Sequence, residues 1–434
     1  MERAALFARL VRRARGERPA AFARARQVGT GLPRAGLAAA DEAALWAAHA
    51  EAMARWRLVQ DVPARAALPA EEADLLALKA ELAGRLLGPC RLCWLRCPVD
   101  RRREQTGRCG LGAGLRVYRE LVHLGEELEL IPTHAVYLAG CSLRCPYCSE
   151  WDHVARPAID PELSPSRLAR ALEGRRREGA LTASFVGGEP TLSLPGVLAA
   201  LAETGTSVPV VWNTNLTGTP EAHDLLEGVV DAWVADLKVG SEACGRPATG
   251  AAGALEVVRR NLARVDREAW TIVRHLVLPG HLACCTLPVL EWLARELPPG
   301  ARVNLMPHYA PTPEVAGTAW DRRPAADELA AARARASALG LDLTGPGRIE
   351  PAAAPQAPAP GRAPPLAPFA SRIRISPTGE VVIEDLDPDL LDLARVLGQS
   401  PDLDQRQAAA RPWLAGPSDA AGPLPEPDDQ RPAP

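Results

Sequence analysis

The sequence predicts an α/β protein, on two observations. Six short apolar runs recur between residues 134 and 306: His134 to Ala139, Thr182 to Val186, Val208 to Trp212, Val230 to Asp236, Trp270 to Leu278 and Arg302 to Met306. Amphipathic stretches of helical length alternate with them, near 164–177, 195–203, 220–227, 251–265, 286–296 and 325–339. Strands that alternate with helices pair in parallel through right-handed crossovers, which gives an open or partial barrel or a doubly wound sheet. In either arrangement the chemistry sits at the C-terminal ends of the strands.

The flanks read differently. Residues 1–88 are rich in Ala, Arg, Leu and Glu at helical spacing and predict a helical N-terminal extension. Pro89 opens a four-cysteine region, 89–125, with no clear period, and the α/β core is expected over 126–345. Residues 351–370 hold seven Pro and eight Ala, so a linker is expected over 346–370. A hairpin, Arg372 to Ser376 and Val381 to Glu384 about a Pro377-Thr378-Gly379 turn, and a short helix near 388–397 make up a small element over 371–398. The Pro, Asp and Gly-rich remainder, 399–434, reads as disordered.

The 434 residues are 47% hydrophobic and 24% charged with a net charge of -3, enough apolar material for a large core and no global field for nucleic acid or membrane. No apolar run approaches the ~18 residues of a membrane span, and the N-terminus has no signal-peptide h-region, so a cytoplasmic protein is expected. Residues 1–26 carry eight Arg against two acids, and residues 346–434 carry 13 acids against eight Arg. The first is transit-like in composition, although the Arg and Ala bias runs through the whole chain. Lysine occurs only at Lys79 and Lys238.

Seven of ten cysteines crowd between Cys90 and Cys148. Such density in a long chain without a secretion signal reads as metal ligation. The strongest signal is Cys141-Ser-Leu-Arg-Cys145-Pro-Tyr-Cys148, directly after the first apolar run. A cubane iron–sulfur cluster is normally held by four thiolates, so three leave one iron open to bind a ligand. A zinc knuckle that borrows His153 is the alternative. Cys90, Cys93, Cys97 and Cys109 form a second set, and four thiolates close a coordination shell, so zinc or an auxiliary cluster is expected there. Cys244, Cys284 and Cys285 have no ligand spacing and read as buried packing residues.

The three-cysteine motif, with an aromatic before its last cysteine and Gly187-Gly188-Glu189-Pro190 after the second run, resembles the radical S-adenosylmethionine superfamily. More narrowly, the chain resembles the uncharacterised homologues of pyruvate formate-lyase activating enzyme. The likeness continues through Gly107-Arg-Cys109-Gly, Trp212-Asn-Thr-Asn215, Asp236-Leu-Lys238, Arg274-His-Leu-Val-Leu-Pro279-Gly and Asn304-Leu-Met-Pro-His308-Tyr-Ala-Pro311, over about residues 90–340. It implies a partial (β/α)6 barrel in which Cys141, Cys145 and Cys148 hold a 4Fe–4S cluster. S-adenosylmethionine would chelate the open iron and be cleaved reductively to a 5′-deoxyadenosyl radical. The chain departs from the characterised activating enzyme at Asn213, where that enzyme has an acidic residue, and at Ser149-Glu150, which replace a Gln-Asn pair.

Within that frame the remaining residues receive physical roles. The Gly187–Pro190 turn offers backbone carbonyls and the Glu189 carboxylate to the ligand ammonium. Tyr147 lies against adenine or packs in the core. Lys238 is a compact cation for the ligand carboxylate, or the salt-bridge partner of Asp236. Asn213 and Asn215 offer polar contact to ribose or carboxylate, and His308 follows the sixth run and faces the radical or is structural.

The function implied by kinship is hydrogen abstraction from a polypeptide, most simply a glycine Cα of a partner enzyme, with a low-potential electron donor. RNA modification is an alternative from the Arg-rich residues 1–26 and 91–108, modification of a small molecule is another, and a non-catalytic iron–sulfur scaffold is the third.

Overall fold

The computed structural model describes residues 3–62, 68–350, 372–375, 381–384 and 405–406. Six elements precede the main sheet: α1 (Arg3–Ala14), α2 (Ala21–Ala25), β1 (Gly29–Pro33), α3 (Glu42–Val59), β2 (Glu72–Asp74) and α4 (Leu75–Arg85). Asp41 and Asp74 start α3 and α4 by accepting backbone N–H groups of the first turn, which water would otherwise have to satisfy. Helices dominate as expected, but β1 and β2 pair antiparallel, Gly29 opposite Asp74, so the preface is not all helical. Gly31 has a positive φ of 74°, and a ribbon built on Gly and Pro carries no strand periodicity to read.

The main elements are β3 (Val117–His123), β4 (Thr133–Leu138), α5 (Trp151–Ala155), α6 (Pro165–Arg177), β5 (Thr182–Gly187), α7 (Leu194–Glu203), β6 (Val210–Thr214) and α8 (Pro220–Leu226). They continue as β7 (Ala232–Asp236), α9 (Glu242–Thr249), α10 (Ala254–Glu268), β8 (Trp270–Leu276), α11 (Leu287–Glu296), β9 (Arg302–Met306) and α12 (Ala326–Ala338). The seven strands β3 to β9 form one sheet in sequential order, with β4 to β9 parallel and β3 antiparallel to β4. The C-terminal ends of all six parallel strands line one cavity, through Tyr137, Gly187, Asn213, Asp236, Leu276 and Met306. Strands that share one concave face in this way curve into an open barrel, the expected (β/α)6 form, with β3 and β9 as its edges.

Three local differences have local causes. Strand β3 lies inside the stretch read as a metal-organised region, because its Arg119 and Glu120 look like solvent residues. Both are buried, and Glu120 accepts from His134 Nε2 at 2.6 Å and Arg175 Nη2 at 2.5 Å. Pro209, which has no N–H to donate, delays β6 to Val210. Helix α9, with Pro247 inside it, was not foreseen between the fourth and fifth runs.

The preface is not a separate appendage. Leu6, Leu10 and Ala14 of α1 pack with Val211, Ala232, Trp270 and Ile272 from the N-terminal halves of β6, β7 and β8. Arg13, 3% exposed, donates to Asp231 Oδ1 at 2.7 Å, and the same carboxylate accepts the backbone N–H groups of Ala21 and Val210. Basic residues of the Arg-rich 1–26 segment are therefore partly used to close the barrel floor.

Beyond residue 350, β10 (Arg372–Ile375) and β11 (Val381–Glu384) pair antiparallel as the expected hairpin. Of the linker expected over 346–370, residues 346–350 are described and Ile349 is buried with the α1 cluster; its remainder, the Pro377–Gly379 turn, the short helix near 388–397 and the tail reading, save for Gln405 and Arg406, lie outside the described residues. Among the described residues, no helix is long and apolar enough to cross a membrane.

Candidate active site and cysteine centres

The chain leaves β4 at Leu138 and turns through Gly140, whose φ of +78° favours glycine. The turn after β5 is laced to this exit, with Gly188 N–H donating to the Leu138 carbonyl at 2.7 Å and Glu189 N–H to the Gly140 carbonyl at 2.9 Å. A Cβ on Gly188 would fall 2.0 Å from the Gly140 oxygen, so only glycine lets these two segments touch. Arg144 then ties the loop by donating to the carbonyls of Cys141, Leu143 and Arg108. The result brings Cys141, Cys145 and Cys148 to the wall of one cavity of about 390 Å³.

Burial pushes the Cys148 thiol up to about 12 and raises Cys141 and Cys145 as well. Without a bound cation these groups stay protonated, so occupancy by a metal or cluster must expel protons. Asn215 Nδ2 donates to Cys141 Sγ at 3.7 Å. His153 instead pairs with Asp160 at 2.8 Å and stacks on Tyr118 at 3.8 Å, so it is engaged away from the thiols.

Most of the residues singled out in the sequence share this cavity: Tyr147, Gly187, Gly188, Asn213, Asn215, Asp236, Lys238 and His308 all line it. The Asn213 side chain is buried, and its Nδ2 has no hydrogen-bond partner, an unmet donor on the cavity wall. Lys238 Nζ donates to Asp236 Oδ2 at 2.6 Å, the salt bridge foreseen as one of its two roles. Burial would lower the Lys238 ammonium, but the Asp236 carboxylate outweighs it and the group stays charged. Tyr147 meets Tyr309 and Trp320 edge-on at 5.9 and 5.8 Å. His308 stands exposed at the rim.

Glu189 and Pro190 are placed elsewhere. Glu189 is fully buried, and its carboxylate accepts from Thr191 N–H, Thr214 Oγ1 at 2.7 Å and Asn215 N–H at 2.9 Å. With both oxygens engaged, it holds the turn and the β6 exit together rather than facing a ligand. Sequence reading missed the other wall, where Arg274 donates to Glu127 at 2.8 Å twice and also to Glu126, and Asn304 donates to Glu127 at 2.7 Å. Arg274 and Asn304 lie in segments already quoted as motifs; Glu126 and Glu127 had no signal beyond their adjacency.

The second cysteine set also converges. Cys90, Cys93, Cys97 and Cys109 line one small cavity with Arg101, Gly107 and Ser142, the residue next to Cys141. A Cβ on Gly107 would fall 2.9 Å from Cys97 Sγ. Burial, with the neighbouring sulfurs adding, pushes Cys93 up to about 12. Cys244 and Cys285 are buried in the core with Cys284 packed against it, as read, and the three also meet around His281, a grouping their spacing did not show.

An open α/β barrel whose mouth is lined by three thiols defines the class of protein. A Radical SAM superfamily model matches residues 136–293. An uncharacterized protein of Methanocaldococcus jannaschii is 34% identical over 245 residues, 55% of this chain and 71% of that one. The chain belongs to the Radical SAM superfamily, which implies a 4Fe–4S cluster and S-adenosylmethionine. Among solved structures it is similar to Streptococcus suis SuiB bound to S-adenosylmethionine, at 13% identity and a TM-score of 0.36 over 46% of this chain and 47% of SuiB. It is also similar to TYW1 with a lysine-pyruvate adduct bound, at 16% identity and a TM-score of 0.27 over 37% of this chain and 61% of TYW1. The chain thus spans about half the length of SuiB.

Proposed function

We propose that this protein is a radical S-adenosylmethionine oxidoreductase that abstracts a hydrogen atom from a polypeptide, with a glycine Cα of a partner enzyme as the simplest target. The observation that carries the reading is the meeting of Cys141, Cys145 and Cys148 with the unmet Asn213 amide and the Lys238–Asp236 pair in one cavity. These residues fit the group the family implies: three thiols to hold a 4Fe–4S cluster with an iron left open, on a loop that the bare Gly188 turn packs against at Gly140. When bound, cluster and S-adenosylmethionine supply a 5′-deoxyadenosyl radical.

The chain's own residues bind and orient. Cys141, Cys145 and Cys148 would hold the cluster after losing their protons. Lys238 would offer its ammonium to the ligand carboxylate while Asp236 keeps it charged, and Asn213 would donate its free N–H to a ligand oxygen. Glu189 keeps the Gly187–Gly188 turn and the Asn215 backbone in register.

A sheet that ends at β3 and β9 instead of closing leaves room for a polypeptide loop beside the thiols. The RNA alternative rested on the Arg-rich segments, and several of those side chains are engaged within the chain: Arg13 with Asp231, Arg91 with Glu42, Arg96 with Glu221 and buried Arg101 with the Leu192 carbonyl. The four-cysteine set would hold zinc or an auxiliary cluster. A low-potential donor is required, and ten free thiols favour a reducing, cytoplasmic setting.

Anaerobically reconstituted protein with reductant, S-adenosylmethionine and a partner polypeptide carrying α-deuterated glycine should move deuterium into 5′-deoxyadenosine and leave a carbon-centred radical on the partner. Deuterium transfer only from an RNA or a small molecule would refute the polypeptide assignment, and no 5′-deoxyadenosine at all would refute the radical chemistry.

A further inference from the structure

Cys244, His281, Cys284 and Cys285 have no part in the barrel mouth. Cys244 belongs to α9, after β7; the other three lie after β8, where His281 precedes a π-helical turn, Leu282–Thr286. One donor atom from each lies within 4.8 Å of all the others. Cys284 Sγ and Cys285 Sγ stand 3.4 and 3.7 Å from His281 Nδ1. A tetrahedral ion with zinc-like bonds to sulfur and imidazole nitrogen separates those two donors by about 3.55 Å, and the observed distances bracket that value.

The backbone is arranged for this convergence. π-turns are rare and frequently occur at functional sites; here one carries two adjacent cysteines back toward the histidine before them. Gly240, after β7, lies against it so closely that a Cβ would fall 2.5 Å from the Cys285 carbonyl oxygen. Cys244 and Cys285 are buried, and Cys284 and His281 are half-buried, which leaves an entry path.

We propose that Cys244, His281, Cys284 and Cys285 bind one divalent metal ion of the zinc class, at a site distinct from both other cysteine sets. The proposal stands whether or not the barrel cleaves S-adenosylmethionine. Binding takes three thiol protons to solvent, and the ion joins α9, which follows the loop that carries Lys238, to the turn after β8.

It also has a consequence for Trp320. The indole N–H donates to His281 Nε2 at 2.7 Å, and an indole nitrogen can only donate, so in the metal-free chain the imidazole proton sits on Nδ1. Coordination through Nδ1 moves that proton to Nε2, where two N–H groups would face each other. Metal binding therefore displaces Trp320, which packs edge-on against Tyr147 of the three-cysteine loop at 5.8 Å.

The test uses the full chain, reduced, stripped of metal and refilled with zinc alone. Wild type should retain one zinc ion per chain more than Cys244→Ser/Cys285→Ser, and zinc should change the tryptophan fluorescence of wild type more than that of Trp320→Phe. If the double variant does not fold, His281→Gln, at a half-buried position, should weaken the binding of one zinc equivalent by about tenfold or more while leaving the others. Equal zinc content and affinity in wild type and variants would overturn the site, as would a disulfide from Cys244 to Cys284 or Cys285 in place of bound zinc.

Discussion

The mouth of the barrel and the N-terminal preface place their polar side chains in opposite circumstances. At the mouth, Asn213 is buried without a partner, Lys238 keeps a quarter of its side chain exposed, and three thiols face open space. In the preface, Arg13 and Asp231 are 3% and 0% exposed and bonded to each other, Arg3 is bonded to Asp266, and fully buried Lys79 donates to His49 Nε2 at 2.9 Å and to the Asp224 carbonyl. Arg13 and Arg3 keep some N–H groups unmet but each has a carboxylate partner inside the fold, which serves stability, whereas the Asn213 amide donor is unmet on a cavity wall, where a ligand can complete it. The two regions should therefore separate experimentally: variants of the mouth lose activity at unchanged stability, and variants of the preface the reverse.

The largest effect is expected at the mouth. Replacing Cys141, Cys145 and Cys148 with Ala should reduce 5′-deoxyadenosine formation to background, while metal at the Cys90–Cys109 set persists and the melting temperature of the cluster-free protein is nearly unchanged. Retained cleavage in the triple variant would break the contrast at its strongest point.

Next comes the barrel floor. Asp231→Ala leaves the Arg13 guanidinium buried and unpaired, which should cost about 3–5 kcal/mol of unfolding free energy, measured by denaturant titration. Cleavage per folded molecule should not change. Arg13→Met/Asp231→Asn should recover part of the loss, because no ion is then left unpaired.

Lys79 gives the preface a pH dependence. Burial lowers its ammonium from 10.5 to about 7, and burial with the neighbouring lysine charge holds His49 down to about 2, so the imidazole is a neutral acceptor. Between pH 7 and 10.5 the unfolded chain binds the lysine proton that the folded chain has released, so this group makes stability rise with pH across that window. The rise should reach a few kcal/mol, and Lys79→Met should remove it. An identical pH profile in the variant would mean that Lys79 is not strongly depressed.

The smallest effect returns to the mouth. Lys238→Ala should weaken S-adenosylmethionine binding by about tenfold, the loss of roughly 1.5 kcal/mol from a charge-assisted contact, with the cluster retained. Unchanged affinity by titration would reduce Lys238 to the salt-bridge partner of Asp236.

The sequence by itself determined the barrel and the thiols of its mouth. Apolar runs such as Trp270 to Leu278 are buried on both faces of a parallel sheet, so local composition carries the signal, and Cys141, Cys145 and Cys148 lie within one loop whose spacing is covalent. The same holds for Cys90, Cys93, Cys97 and Cys109, which the chain keeps within 20 residues. Only the tertiary structure decided the rest. Strand β3 was hidden because Glu120 finds buried partners in Arg175, 55 residues away, and His134 on the neighbouring strand, while Arg119 lies over Tyr137 of that strand and donates to Glu150, and partner choice at that range leaves no local pattern. Glu189 looked like a ligand residue until Thr214 and Asn215 took both its oxygens. Cys244 and His281 are 37 residues apart, and what brings them together is the parallel pairing of β7 with β8, which sets their C-terminal turns side by side. Spacing along the chain encodes sites within one loop, and strand register encodes sites between loops, which exist only once the sheet has formed.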